Sequence, residues 1–111
     1  MEAAIRAIAE PHRRDILRLV WMEELAAGEI AGHFKVTRPA ISQHLRVLKE
    51  AGLVSERRDG TKRLYRARPE SIAELRAYLE SYWDESLRLL KQAAEQEEQR
   101  GTRRDRRHKG N

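Results

Sequence analysis

The sequence predicts a mainly helical fold that carries one small β-hairpin. Three observations predict it. Apolar residues recur at helical spacing through the first fifty residues and again from Ile72 to Ala94. Two short strand-like runs flank Asp59-Gly60, a strong short-range hairpin signal. Gly52 stands between the two regions, where a helix C-cap would put it.

The elements follow in order. Residues 2–9 read as a short helix, and Glu10-Pro11 restarts the chain because proline suits the first helical position. Residues 11–22 carry the stripe Ile16, Leu17, Val20 and Trp21. Residues 27–34 read as a third helix with Ile30, Ala31 and Phe34 inward, although Ala26 offers no side-chain oxygen to cap its start. After a tight connection at Lys35-Val36, Thr37 is a good N-cap with Pro39 in the first turn behind it, and the helix 37–51 runs to Gly52. Leu53–Arg58 and Lys62–Ala67 read as strands. Pro69 opens a last helix that continues to about Gln99, with Ile72, Leu75, Leu79, Tyr82, Trp83, Leu87, Leu90 and Ala94 spaced by threes and fours.

Composition narrows the function. A chain of 111 residues makes one compact domain, expected at 1–99, and residues 100–111 are expected to be a basic disordered tail. The absence of cysteine removes disulfides, thiolate ligands and thiol redox chemistry. No apolar run approaches the ~20 residues of a membrane span, and Met1 opens no signal-peptide pattern, so no membrane partner and a cytoplasmic location are expected. Charge is distributed unevenly. Residues 1–34 net −2, 35–68 net +7, 69–99 net −5 and 100–111 net +5. A basic centre is the electrostatic footprint of a protein that meets a polyanion.

Two helices joined by a tight turn and followed by a basic hairpin have the layout of a winged helix-turn-helix. Placed at 100° per residue, Ile41, Leu45 and Leu48 share one face of the helix 37–51. Pro39, Gln43, Arg46 and Glu50 lie opposite, with Thr37, Arg38 and Ser42 near the N-terminal end. Arginine can pair bidentately with guanine and glutamine with adenine, and serine can adapt to either. The hairpin adds Arg57, Arg58, Lys62 and Arg63 around its tip, long cations able to reach phosphates or a narrow minor groove. These residues, with His44 as a scaffold or phosphate-contacting residue, are the expected DNA-binding set. No phosphate-binding glycine loop and no nucleophile–base pair is present, so no enzyme and no cofactor is expected.

Several segments resemble the ArsR/SmtB family of winged-helix repressors. Pro11-His12-Arg13-Arg14-Asp15-Ile16-Leu17 resembles its second helix, and Ala27-Gly28-Glu29-Ile30-Ala31 its third. Thr37 to Leu45 resembles its recognition helix, and Leu48 to Val54 with the wing ending at Leu64-Tyr65 completes the match over about residues 3–95. The resemblance implies a homodimer built from the first and last helices, double-stranded operator DNA as partner, and repression relieved by a signal. Ile5, Ile8, Leu75, Leu79, Tyr82, Trp83, Leu87 and Leu90 are the expected dimer contacts. Many family members sense metal through a Cys-x-Cys pair, where this chain has Ala26 and Gly28. Others use Asp-x-His and His-x-x-Glu on the last helix, where this chain has Asp84-Glu85-Ser86. No metal site is therefore expected, and the residues name no inducer.

The function expected is a sequence-specific transcriptional regulator, a dimeric repressor reading a palindromic operator with helix 37–51 and the wing 53–67. The alternative is a low-specificity architectural DNA-binding protein. Coating DNA by charge has no need of Gln43 and Ser42 at their places, which favours the repressor.

Overall fold

The computed structural model describes the backbone of residues 1–109 and the side chains of residues 1–100. Five helices and a three-stranded antiparallel sheet follow in the order α1 (Glu2–Ala9), α2 (Pro11–Leu19), β1 (Leu25–Ala26), α3 (Ala27–Ala31), α4 (Arg38–Glu50), β2 (Val54–Asp59), β3 (Lys62–Ala67) and α5 (Pro69–Lys109). The chain forms two compact units, Met1–Arg76 and the part of α5 from Ala77 onward.

Local chemistry sets most helix boundaries. The Glu10 carboxylate accepts the Arg13 backbone N–H at 3.0 Å and so caps α2 behind Pro11. Thr37 Oγ1 accepts the Ala40 N–H at 3.2 Å and starts α4. Gly52 ends α4 with φ +77°, a left-handed conformation that glycine adopts without a Cβ clash. Around it Gly52 N donates to Lys49 O at 2.9 Å and Leu53 N to Leu48 O at 3.0 Å, the paired bonds of a Schellman stop.

Two helices are shorter than their apolar patterns suggest. α2 ends at Leu19, and Val20 turns out of helical geometry while staying fully buried; Trp21 and Met22 lie beyond it, exposed. α3 ends at Ala31 instead of Phe34, because the chain tightens into i−3 bonds from His33 to Ile30 and from Phe34 to Ala31. Phe34 still turns partly inward. The missing cap on Ala26 is half compensated: Glu29 Oε1 accepts the Ala26 N–H at 3.1 Å.

The sheet order is β1-β3-β2, and β1 was not expected. It pairs Leu25 with Tyr65 and Ala26 with Leu64. The hairpin runs from Val54↔Ala67 to Asp59↔Lys62. Asp59 therefore belongs to β2, and the two-residue turn is Gly60-Thr61, not Asp59-Gly60. Gly60 has φ +63° at the first turn position, as a type II′ hairpin requires. Two backbone bonds fasten the hairpin to the helices, Ala67 N to Val20 O at 3.0 Å and Arg68 N to Leu53 O at 2.9 Å.

The core of the first unit gathers Ile16, Val20, Ile30, Ile41, Leu45, Leu48, Leu53 and Val54, all essentially inaccessible to solvent. Ile41, Leu45 and Leu48 are the inner face expected of α4. Leu75 is also buried, at 4% exposure within a single chain. It is thus covered without a second subunit, which corrects its place among the expected dimer contacts. Ile5, Ile8 and Leu79 are half-buried, while Tyr82, Trp83, Leu87 and Leu90 are exposed. The backbone of α5 stays helical to Lys109, beyond the expected end near Gln99. Its arginines and lysines are good helix formers even where apolar periodicity has stopped. The expectation of a basic disordered tail falls on residues whose side chains lie outside the described set.

Candidate nucleic-acid interface

The site is assembled on α4. With Ile41, Leu45 and Leu48 held in the core, the 3.6-residue period sends Thr37, Arg38, Pro39, Ser42, Gln43 and Arg46 to solvent, and all six are exposed. Arg46 Nη2 donates to Gln43 Oε1 at 2.9 Å, linking two outer residues one turn apart. The Gln43 amide nitrogen and the second lone pair of its oxygen stay available to another partner.

The hairpin stands beside this face. Arg38, Pro39, Ser42, Gln43, Arg46 and Lys49 of α4 form one side of an open groove of about 700 Å³, and Glu56, Thr61, Lys62, Arg63 and Tyr65 of the hairpin form the other; Ala26, Ala27 and Gly28 complete it. Arg38, Arg46, Lys49, Lys62 and Arg63 give the groove a cationic lining. Glu56 lies at its base between the two walls. Its carboxylate is 3.3 Å from Lys49 Nζ and 3.7 Å from Arg63 Nη1. Burial pushes the phenol of Tyr65, its cross-strand partner, above the ordinary range, and the Glu56 charge and hydrogen bond add to that. Glu56 was not among the expected site residues. Its partners lie on three separate positions of α4 and β3, so no local pattern marks it.

The four wing cations differ in their surroundings. Arg57 is forked onto Glu24, with Nε donating to Oε2 at 2.9 Å and Nη2 to Oε1 at 2.7 Å. The hydrogen bond from Arg57 holds the Glu24 carboxyl below its ordinary value of 4.5. The fork is therefore intact above that value and is lost as pH falls through the depressed one. Arg57 thus fastens the wing to the segment before β1. Arg63 shares Glu56, whereas Arg58 and Lys62 sit exposed on either side of the turn.

His44 is the expected DNA-contacting residue that turns away from the groove. It packs toward the start of α2 at 19% side-chain exposure, its ring stacked on His12 with centroids 5.7 Å apart and Nδ1 3.9 Å from Glu10 Oε2. Of the two roles read for it, this placement fits the scaffold. His12 Nδ1 is 2.9 Å from Glu10 Oε1. Burial pushes the Glu10 carboxyl up, but the hydrogen bonds from His12 and the Arg13 N–H, with the charges of both histidines, bring it below its ordinary value.

Comparison with known proteins fits this geometry. The sequence pattern described as "Bacterial regulatory protein, arsR family" matches residues 10–56, which include α2, α3, α4 and the start of β2. HTH-type transcriptional regulator Rv2034 of Mycobacterium tuberculosis is 43% identical over 86 residues, covering 78% of this chain and 80% of its own. Transcriptional repressor SdpR of Bacillus subtilis is 43% identical over 60 residues, 54% of this chain and 67% of its own. Among solved structures, the homodimeric winged helix-turn-helix DNA-binding domain of a possible ArsR-family regulator from Mycobacterium bovis superposes with a TM-score of 0.61. It is 34% identical and covers 76% of this chain and 78% of that one.

Proposed function

The chain belongs to the ArsR family of bacterial regulatory proteins, and from that premise we propose that it is a homodimeric transcriptional repressor that reads a palindromic operator with α4 and the wing. The observation that carries the reading is the cationic groove. One wall presents Arg38, Ser42, Gln43 and Arg46 from a helix whose opposite face is anchored in the core; the other presents Lys62 and Arg63 from a hairpin tip. A rigid helix enters a major groove with its N-terminal residues at the base edges, while flanking cations take phosphates. The homodimeric M. bovis domain and the repressor SdpR support the assembly and the sign of regulation.

Selection of binding sites from random duplexes tests the reading as a whole. A palindromic consensus with half-sites about one helical turn, roughly 10 base pairs, apart is the expected product. Absence of any enrichment would favour an architectural protein that coats DNA.

Base reading is placed on Gln43. Gln43→Ala should weaken the best operator by about 1–3 kcal/mol and relax preference at one position in each half-site. Binding measured across a panel of single-base operator variants checks this. An equal loss on every sequence would make Gln43 a backbone contact instead.

The wing cations should not contribute equally. Arg57 must leave Glu24 before it can reach a phosphate, whereas Lys62 is exposed at the turn. Lys62→Gln should lower the magnitude of the slope of log K against log salt by about 0.9, the value for one released phosphate contact. Arg57→Gln should change that slope much less. Equal changes in the two variants would show that the Arg57–Glu24 fork opens on DNA.

A further inference from the structure

We propose that Glu10, His12 and His44 form a binding site for one divalent transition-metal ion of the zinc, cobalt or nickel class, joining the start of α2 to α4. Each of the three side chains offers one ligand atom, and these atoms lie within 4.8 Å of one another. Two ligands at 2.0–2.1 Å from a tetrahedral ion stand roughly 3.3 Å apart. The separations from the Glu10 carboxylate, 2.9 Å to His12 Nδ1 and 3.9 Å to His44 Nδ1, fall on either side of that distance. Small side-chain rotations close the geometry without moving a helix.

The surroundings hold the set in place. The imidazole planes are within 13° of parallel, and the edge of Phe34 packs against His12 with centroids 6.0 Å apart. Glu10 is already fixed by its cap on the Arg13 N–H, which occupies Oε2 and leaves Oε1 facing His12. A metal ion would replace the proton between His12 Nδ1 and Glu10 Oε1, and that proton leaves to solvent as the ion binds. Two imidazoles with one carboxylate select borderline ions over Ca²⁺ or Mg²⁺, which prefer all-oxygen sites. His12 is the most open of the three, with 43% of its side chain exposed, so solvent can supply the fourth ligand.

This site is separate from the positions at which metal-sensing relatives bind, Ala26, Gly28 and Asp84 in this chain. No short motif marks it in the sequence, because His12 and His44 lie 32 positions apart and meet only when α2 packs on α4.

The test titrates the full chain with Zn²⁺ against a competing chelator, and with Co²⁺ by visible absorption. One ion per chain is expected, with a visible band from cobalt in a low-symmetry N/O site. The thermal midpoint should rise with Zn²⁺ concentration, since binding to the folded state alone stabilises it. His12→Gln and Glu10→Gln should each weaken binding by about 100-fold or more, because loss of a direct ligand exceeds the 10–100-fold cost of losing an outer partner. Glu10→Gln retains an amide oxygen for the Arg13 cap, and His12 is open enough to replace without unfolding; unchanged metal-free thermal midpoints check both. The double variant His33→Gln, His108→Gln should bind as the parent does. The inference falls if the parent binds no ion at micromolar concentration. It also falls if the His12 and Glu10 variants bind equally well, or if affinity follows His33 and His108.

Discussion

Trp83→Arg should leave the protein monomeric in sedimentation at micromolar concentration and weaken operator binding by about 10²–10⁴, the factor that two linked half-site contacts contribute over one. The reason lies on α5. Leu79, Trp83, Leu87 and Leu90 recur at spacings of four, four and three, so they share one face of the helix. Trp83 is 60% exposed and Leu90 62% exposed in a single chain, with Tyr82 flanking them at 65%. Contiguous exposed apolar surface of this kind marks an association face, and a large aromatic near its centre is the usual anchor. An arginine there must be desolvated if two such faces meet, which opposes dimer formation without disturbing the first unit. The helical content should be retained, and binding to one half-site should fall little. A Trp83→Arg variant that remained dimeric would move the interface elsewhere. Leu75→Ala serves as a contrast, since Leu75 is buried within one chain and should lower stability instead of dissociating subunits.

Leu48→Ala should destabilise the first unit by about 2–5 kcal/mol, the range for removing a leucine from a packed core. Leu48 is fully buried on the inner face of α4, and its carbonyl accepts the Leu53 N–H of the helix stop. Total stabilities of small domains are only about 5–15 kcal/mol, so one such cavity removes a large share. At about 4–8 °C per kcal/mol for a domain of this size, the thermal midpoint should drop by roughly 10 °C or more. Scanning calorimetry at one fixed protein concentration measures it, because dimerisation makes the midpoint concentration-dependent. Lys49→Ala, one residue along and exposed, should shift the midpoint far less. Equal shifts would mean that the inner face of α4 is not what anchors the helix. Operator binding should be lost at temperatures where the Leu48 variant unfolds, which links the buried face of α4 to the exposed face opposite it.

Much of this protein was written locally. Thr37, Pro39 and Gly52 delimit α4 through caps that act over three or four residues, and the apolar period of that helix decides which side chains meet solvent. That is why Arg38, Ser42, Gln43 and Arg46 could be placed on its outer face from the sequence. The hairpin was legible for the same reason, since Gly60 acts within its own turn, although the turn proved to be Gly60-Thr61 and Asp59 joined the strand. Pro69 and the recurring apolar residues likewise announced α5.

What depended on tertiary structure involves residues far apart in the chain. β1 is two residues long and has no alternation to detect; it becomes a strand only because β3 offers Leu64 and Tyr65 as partners. Arg57 looked like one more wing cation until Glu24 was brought within 2.7 Å of it from 33 positions away. Glu56, at the base of the groove, draws its partners from α4 and β3. Leu75 matched the exposed stripe in spacing but is covered by its own chain, a difference no periodicity can express. His44 was turned from the groove by stacking on His12, and Glu10, His12 and His44 met only when α2 and α4 packed together. Caps and periods act over one or two helical turns and can be read along the chain. Ion pairs, ring stacking and burial depend on distance in space, which only the packed fold sets.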